Sequence, residues 1–228
     1  MILHIETATE VCSVCLSRGE KVLNLQAPAG ANDHLRVITL LIATCLEEAG
    51  ASLDELDAVA VSAGPGSYTA LRVGVSAAKG ICFATNKPLV AIDTLQALAC
   101  AALEQEQDDG ALYCPMMDAR RMEVYCALFD HKNELVEASS AKVIEEGSFK
   151  ELLDAGQRIF FMGNGAGKCR ETIQSPNAVF LNIACSARHL VHLAVRAFGK
   201  GNFADLAYFT PNYLKAPNIT KPKEKFFK

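Results

Sequence analysis

The strongest constraint on this chain is an order of hydrophobic patterns that occurs twice. In the first half, short apolar runs at Ile2 to Ile5, Cys12 to Ser17 and Val22 to Leu25 read as strands separated by the turns Glu6-Thr7-Ala8-Thr9-Glu10 and Arg18-Gly19-Glu20. Asp33 reads as the N-cap of a helix that runs to about Ala49 and is ended by Gly50. A buried strand at Ala58 to Ser62, a helix from about Thr69 to Ala84, a strand at Leu89 to Ile92 and a helix at Thr94 to Glu104 follow. Beyond the polar stretch Gln105 to Gly110 the order returns. Strands are expected at Leu112 to Met117, Glu123 to Phe129 and, briefly, near Leu135, then a helix at Glu145 to Ala155 and a strand at Arg158 to Met162. A helix at Lys168 to Ile173, a strand at Val179 to Leu181 and a helix at Ser186 to Phe198 complete it. The order β-β-β-α-β-α, twice, predicts an α/β protein of two lobes with a mixed sheet in each. The lobes are expected at 1–105 and 106–200, with 201–228 a C-terminal segment packing back on the first.

Half of the residues are hydrophobic and Trp is absent, so a chain of this size can bury an ordinary core without disulfide or metal staples. A net charge of −4 argues against binding nucleic acid or an anionic membrane by bulk charge. The nine cysteines are odd in number and mostly flanked by apolar residues, as buried thiols of a reducing compartment are. Cys12 and Cys15 spell C-x-x-C, but residues three apart on a strand point to opposite faces, and no second pair completes a zinc site. Glu6 and Glu10 interrupt the first apolar stretch, which therefore does not read as a secretory leader, and no uncharged run approaches the ~20 residues of a membrane span.

Two glycine turns are the candidate binding features. Gly64-Pro65-Gly66-Ser67-Tyr68-Thr69 joins a strand to a helix, where glycine permits close backbone approach and a helix N-terminus favours an anion. The bland reading is a tight connection. The second, Gly163-Asn164-Gly165-Ala166-Gly167-Lys168-Cys169, is only superficially a P-loop: Met162 stands where a Walker A glycine belongs, and Cys169 replaces the Mg²⁺-binding hydroxyl. Lys168 also stands where a dinucleotide fingerprint needs its third glycine. Asp118-Ala119-Arg120-Arg121 with Glu123 reads either as a solvated hairpin or as a polar site between lobes. His189 and His192 share a helix face without the pattern of a zinc site. The candidate cleft residues are thus Glu6, Thr7, Gly64, Gly66, Ser67, Asp118, Arg120, Gly163 and Gly165, with no metal site and no catalytic set.

Two helices carry more apolar surface than one sheet can cover. From Thr69 to Ala84 the strongly polar residues are only Arg72, Ser76 and Lys79, and the helix after Asp33 extends its stripe through Val37, Leu40 and Ala43. Gly74, Ala77, Ala78 and Gly80 would let another helix approach closely. Either the second lobe or the C-terminal segment covers this surface, or a partner does, and the partner surface then expected takes in His34, Leu35, Ile38, Leu41, Ile42 and Cys45 of the first helix. On the second it takes in Tyr68, Leu71, Arg72, Val75, Ala78, Lys79 and Cys82. The tail from Thr220 to Lys228, with Lys221, Lys223, Lys225, Lys228, Phe226 and Phe227, reads as a frayed terminus.

The chain also resembles a known family. Ile5-Glu6-Thr7-Ala8-Thr9 with Cys12-Ser13-Val14-Cys15-Leu16 is similar to the opening of the TsaB (YeaZ) family, and the stretch from Gly64 to Gly80 resembles its most diagnostic motif. Asp118 to Tyr125 and Pro211-Asn212-Tyr213-Leu214 are similar to it as well. The resemblance implies a two-lobed actin-like ATPase (ribonuclease H-like) fold. It further implies a cytoplasmic, non-catalytic subunit that self-associates when alone. As its partners, the resemblance names a TsaD-like catalytic subunit and a TsaE-like ATPase, and with them threonylcarbamoyl is placed on adenosine 37 of tRNAs reading codons that begin with A. No cofactor would be bound tightly, ATP or ADP entering only within the complex, and tRNA would be met through the complex. The paired histidines by which TsaD-like proteins hold a metal have no counterpart, since His34 is followed four residues on by Ile38. The alternative is an actin-like small-molecule kinase or ATPase, separated from the first reading by ATP turnover on the isolated chain.

Overall fold

Ile2–Glu6 (β1) and Ala58–Ser62 (β4) are buried at every position, as strands covered on both faces must be, and they pair in parallel with Ile2 opposite Ala58. Around them, in a computed structural model that describes residues 1–28 and 34–215 (backbone only for His34 and Leu35), a mixed sheet forms. Ser13–Arg18 (β2) pairs antiparallel with β1, Lys21–Gln26 (β3) antiparallel with β2, and Leu89–Ile92 (β5) parallel with β4. The order is β3-β2-β1-β4-β5. The second sheet repeats it. Leu112–Asp118 (β6) lies between Glu123–Phe129 (β7) and Ile159–Met162 (β9), flanked by Leu135–Val143 (β8) and Ala178–Phe180 (β10), in the order β10-β9-β6-β7-β8. Antiparallel and parallel pairings also correspond, so the repeat in element order is a repeat in topology.

Helices fill the layers between. His34–Glu48 (α1) and Tyr68–Thr85 (α2) cover one face of the first sheet, with Ile38, Ile42, Cys45, Val75, Ala78 and Cys82 in its core. Thr94–Gln105 (α3) is capped by Asp93, whose carboxylate accepts from the Gln96 amide at 2.9 Å. Its Ala-rich sequence leaves almost no polar face, and a helix apolar all round must be buried. Leu95, Leu98, Ala99 and Ala102 pack on the second sheet, while Ala97 and Cys100 join the core of the first. α3 therefore welds the lobes together. Lys150–Asp154 (α4) and Ala166–Cys169 (α5) cover the outer face of the second sheet. The 3-10 turn Ala187–Leu190 and Val191–Gly199 (α6) cross back, placing Leu190, Leu193 and Ala194 against Ile2, Ala58, Ala60 and Val90. Chain order and packing thus part company within residues 106–200.

Several elements differ from the sequence expectation. The helix expected at Glu145 to Ala155 shortens to α4, because Phe149 takes the left-handed conformation (φ 63°) just before it. The third strand of the second lobe is nine residues long rather than brief. The helix near Lys168 shifts to α5, and that expected from Ser186 begins as a 3-10 turn capped by the Ser186 hydroxyl. The expected cap Asp33 and the basic tail lie outside the described residues. All nine cysteines are buried and free, Cys12 and Cys15 falling in different core clusters.

Candidate functional site: two glycine turns and a helix pair

The first glycine turn is packed by its own chain from two sides. Gly64 has φ +101°, and a Cβ there would lie 2.6 Å from the Asn212 carbonyl oxygen. A Cβ on Gly66 would lie 2.5 Å from the Ala8 carbonyl oxygen, and one on Gly74 would run into the Thr7 side chain. The polar groups of the turn are taken in the same way. The Ser67 amide donates to the Ala8 carbonyl at 2.7 Å, the Gly64 amide to Thr94 Oγ1 at 3.2 Å, and the Asn212 amide to the Ala63 carbonyl at 2.7 Å. Ser67 is the N-cap of α2 but makes no side-chain cap bond. Where a phosphate-binding loop needs open space and free amides, this turn receives the β1–β2 turn and a C-terminal strap.

Glu6 organises the β1–β2 turn. Its carboxylate accepts from the Ala8 amide at 2.6 Å, and the neighbouring Thr7 amide donates to Ser62 Oγ at 3.3 Å. Burial pushes the Glu6 carboxyl up to about 7, against the opposing hydrogen bonds from Ala8, Ser62 and Thr7. Thr7 Oγ1 is buried over Gly74 with no hydrogen-bond partner among the described residues. Two residues before Glu6, on the same sheet face, His4 Nε2 meets Ser17 Oγ at 2.9 Å, and burial drives its imidazole down to about 3.

The second turn gathers a separate polar group. Gly163 (φ +95°) and Gly165 both lie against the end of β6, where Cβ atoms would meet the Met116 carbonyl oxygen and the Asp118 amide at 2.5 and 2.9 Å. Asn164 Oδ1 accepts from the Asp118 amide at 2.9 Å. The Asp118 carboxylate accepts from the Arg120 amide at 3.1 Å and pairs with Lys168, which also donates to the Glu123 carbonyl at 2.7 Å. Glu6, Thr7, Gly64, Gly66 and Ser67 thus form one cluster, and Asp118, Arg120, Gly163 and Gly165 another. Asn164 Nδ2 joins them across the lobes by donating to Glu10 Oε2 at 3.2 Å. Among the described residues no three His, Cys, Asp or Glu side chains converge as a metal site.

The helix pair divides into an inner and an outer face. Of the expected partner residues, Ile38, Ile42, Cys45, Leu71, Val75, Ala78 and Cys82 are corrected: all are buried in the chain's own core and none is available to another molecule. Leu41 is half-buried against that core, and the side chains of His34 and Leu35 lie outside the described residues. Nor does Gly74 receive a second helix, since Thr7 occupies its face. Tyr68, Arg72 and Lys79 hold the strap. The Arg72 guanidinium lies 4.5 Å over the Tyr68 ring and donates to the Tyr213 hydroxyl at 3.3 Å, the Tyr213 ring packs against Tyr68 at 4.6 Å with a 37° tilt, and Lys79 donates to the Ala207 carbonyl at 3.2 Å. What remains exposed was missed as a focus. Leu40 on α1 is 64% exposed and Phe83 on α2 is 83% exposed, flanked by Ala43, Ser76 and Gly80. Helical spacing held the signal, because Arg72, Ser76, Gly80 and Phe83 recur every three or four residues opposite the buried stripe of Leu71, Val75, Ala78 and Cys82.

This geometry can be set beside known proteins. The family described as TsaD: tRNA N6-adenosine threonylcarbamoyltransferase matches residues 26–224. The tRNA threonylcarbamoyladenosine biosynthesis protein TsaB of Bacillus subtilis is 27% identical over 218 residues, 94% of this chain and 93% of that protein. Its namesake in Haemophilus influenzae is 39% identical over 126 residues, 54% of this chain and 51% of the relative, so that likeness spans about half of each. In three dimensions, YeaZ from Pseudomonas aeruginosa superposes with a TM-score of 0.77 at 28% identity, covering 93% of this chain and 99% of that one. A further Pseudomonas aeruginosa structure, of an uncharacterized protein with similarity to peptidase YEAZ, gives 0.79 at 25% identity over 94% of this chain and 99% of the other. By sequence and by fold, the chain belongs to the TsaD-type tRNA N6-adenosine threonylcarbamoyltransferase family, in its TsaB/YeaZ group.

Proposed function

We propose that this chain is a non-catalytic subunit of the machinery that makes threonylcarbamoyladenosine in tRNA, and that the outer face of α1 and α2 docks a TsaD-like catalytic subunit. The observation that carries the reading is the exposure of Leu40 and Phe83 on two neighbouring helices, beside the exposed small residues Ala43, Ser76 and Gly80, an arrangement of large apolar side chains that suits a partner interface. The self-filled glycine turn supports the non-catalytic part, since Gly64 and Gly66 face the Asn212 and Ala8 carbonyl oxygens, groups that repel a phosphate. In this reading a TsaE-like ATPase joins the assembly, ATP or ADP binds within the complex, and the product is the modified adenosine 37 of tRNAs reading codons that begin with A. The setting is the cytoplasm. Among the described residues no helix is long and apolar enough to cross a membrane.

The test is co-purification with a TsaD-like protein, for wild type and for Phe83→Glu. Loss of the partner by a variant that melts like wild type supports docking through this face, and undiminished binding refutes it. Mg²⁺-dependent ATP turnover by the isolated chain would instead favour the kinase or ATPase reading.

A further inference from the structure

The turn between β6 and β7 carries two arginines in a backbone conformation that suits neither. Arg120 has φ 72° and Arg121 φ 50°, consecutive non-glycine residues in the left-handed region. L side chains avoid that region, and a turn that enters it normally uses glycine or asparagine. The turn is nonetheless well tied. The Ala119 amide donates to the Glu123 carbonyl at 3.0 Å, the Glu123 amide to the Arg120 carbonyl at 3.1 Å, and the Arg120 amide to the Asp118 carboxylate at 3.1 Å. Strain held in place by its surroundings in this way concentrates at functional sites.

What the turn presents is positive charge without a partner. Both arginines are exposed, and neither guanidinium has a hydrogen-bond, ion-pair or ring partner among the described residues. Arg72, Arg158 and Arg170, by contrast, are engaged over Tyr68, with Asp108 and over Phe180. The carboxylates flanking the turn are already neutralised, Asp118 by Lys168 and Glu123 by Lys215, the latter at 2.6 Å. Glu10 reaches the group from the first lobe but is tied to Asn164 Nδ2. The two guanidiniums therefore keep their charge for an anion from outside.

We propose that this double-arginine turn is the chain's own contact with RNA, its guanidiniums taking backbone phosphates of a tRNA. The proposal rests on the reading of the chain as part of a tRNA-modifying machinery. An arginine fork matches two oxygens of one phosphate. A small phosphate ligand needs an enclosing pocket, whereas an open, projecting turn suits a polyanion lying across the surface. Net charge of −4 gives RNA no general attraction, so any contact has to be local, as this one is. The sequence after Lys215 adds charge of the same sign, with Lys221, Lys223, Lys225 and Lys228 against Glu224.

Fluorescence anisotropy with an unmodified tRNA transcript tests this, on the chain alone and on its complex with a TsaD-like subunit, between about 50 and 200 mM salt. Arg120→Asn with Arg121→Gly removes both charges and relieves the backbone, so the variant should melt above wild type and a lost contact is not a lost fold. Its affinity for tRNA is expected to fall roughly tenfold, and the slope of log K against log salt by about 2. Arg120→Lys with Arg121→Lys keeps the charge and should keep the slope. Unchanged affinity and slope in the uncharged variant, an equal loss of slope in the lysine variant, or tRNA binding by neither the chain nor the complex overturns the proposal. Docking is read separately: a wild-type chain that retains no TsaD-like protein refutes that reading, while titration of the chain alone still reads the turn.

Discussion

Gly74 and Gly80 lie on the same helix and offer a matched test of the packing described above. A Cβ at Gly80 meets nothing within 4 Å, so Gly80→Ala brings only the helix-propensity gain of about 1 kcal/mol. A Cβ at Gly74 collides with Thr7 Oγ1 and lies 3.1 Å from Thr7 Cγ2 and 3.2 Å from Thr7 Cβ. Thr7 cannot swing clear. Its χ1 is stiff, rotation brings the methyl where the hydroxyl was, and its backbone is tied to Ser62. Overpacking of this kind costs about 3 kcal/mol at the upper end of its range, which outweighs the propensity gain and leaves Gly74→Ala destabilised by about 2 kcal/mol. For a chain of this length that is a fall in Tm of about 4–8 °C, against a rise of about 2–4 °C for Gly80→Ala. Thermal melts of the two variants check the signs. Thr7→Ala combined with Gly74→Ala should recover at least about 1 kcal/mol relative to the sum of the single changes. Equal or higher stability of Gly74→Ala compared with Gly80→Ala would show that the β1–β2 turn does not pack on α2 as described.

The same site sets a pH dependence. Glu6 titrates near 7 in the fold but near 4.5 when unfolded, so the folded state holds the extra proton and its stability falls as pH rises from 4.5 to 7, by about 3 kcal/mol. Urea titrations should show Glu6→Gln gaining on wild type by that amount across the window; a constant difference would exclude the buried carboxyl as its source. His4 acts oppositely: neutral in the fold down to about 3 but protonated below 6.5 when unfolded, it removes stability as pH falls through that range, and His4→Gln should flatten the acid limb. On the helix pair, Val75→Glu should unfold the chain by burying an unpaired charge where the residue is 5% exposed, whereas Phe83→Glu should melt within about 0.5 kcal/mol of wild type. Tyr213→Ala should cost about 2 kcal/mol and loosen the strap, measured as faster proteolysis near residue 210, while Lys215→Ala, which removes an exposed pair with Glu123, should cost under about 1 kcal/mol.

The sequence by itself determined the order of elements and, through the doubled β-β-β-α-β-α pattern, two sheets of one topology. Those signals are local: short apolar runs for the strands, glycine turns between elements, and apolar stripes at helical spacing. It also marked the turns at Gly64-Pro65-Gly66 and Gly163-Asn164-Gly165 as places of close approach. What approaches was decided only by the tertiary structure, because the atoms that fill the first turn come from Ala8 and Asn212, far away along the chain. The same holds for α1 and α2. Composition showed an excess of apolar surface, yet which stripe lies inward depends on how each helix is rotated against its sheet, and that rotation is set by contacts such as Thr7 on Gly74. Val75 and Phe83 are alike to a hydropathy scale; only the packed fold makes one core and leaves the other at the surface.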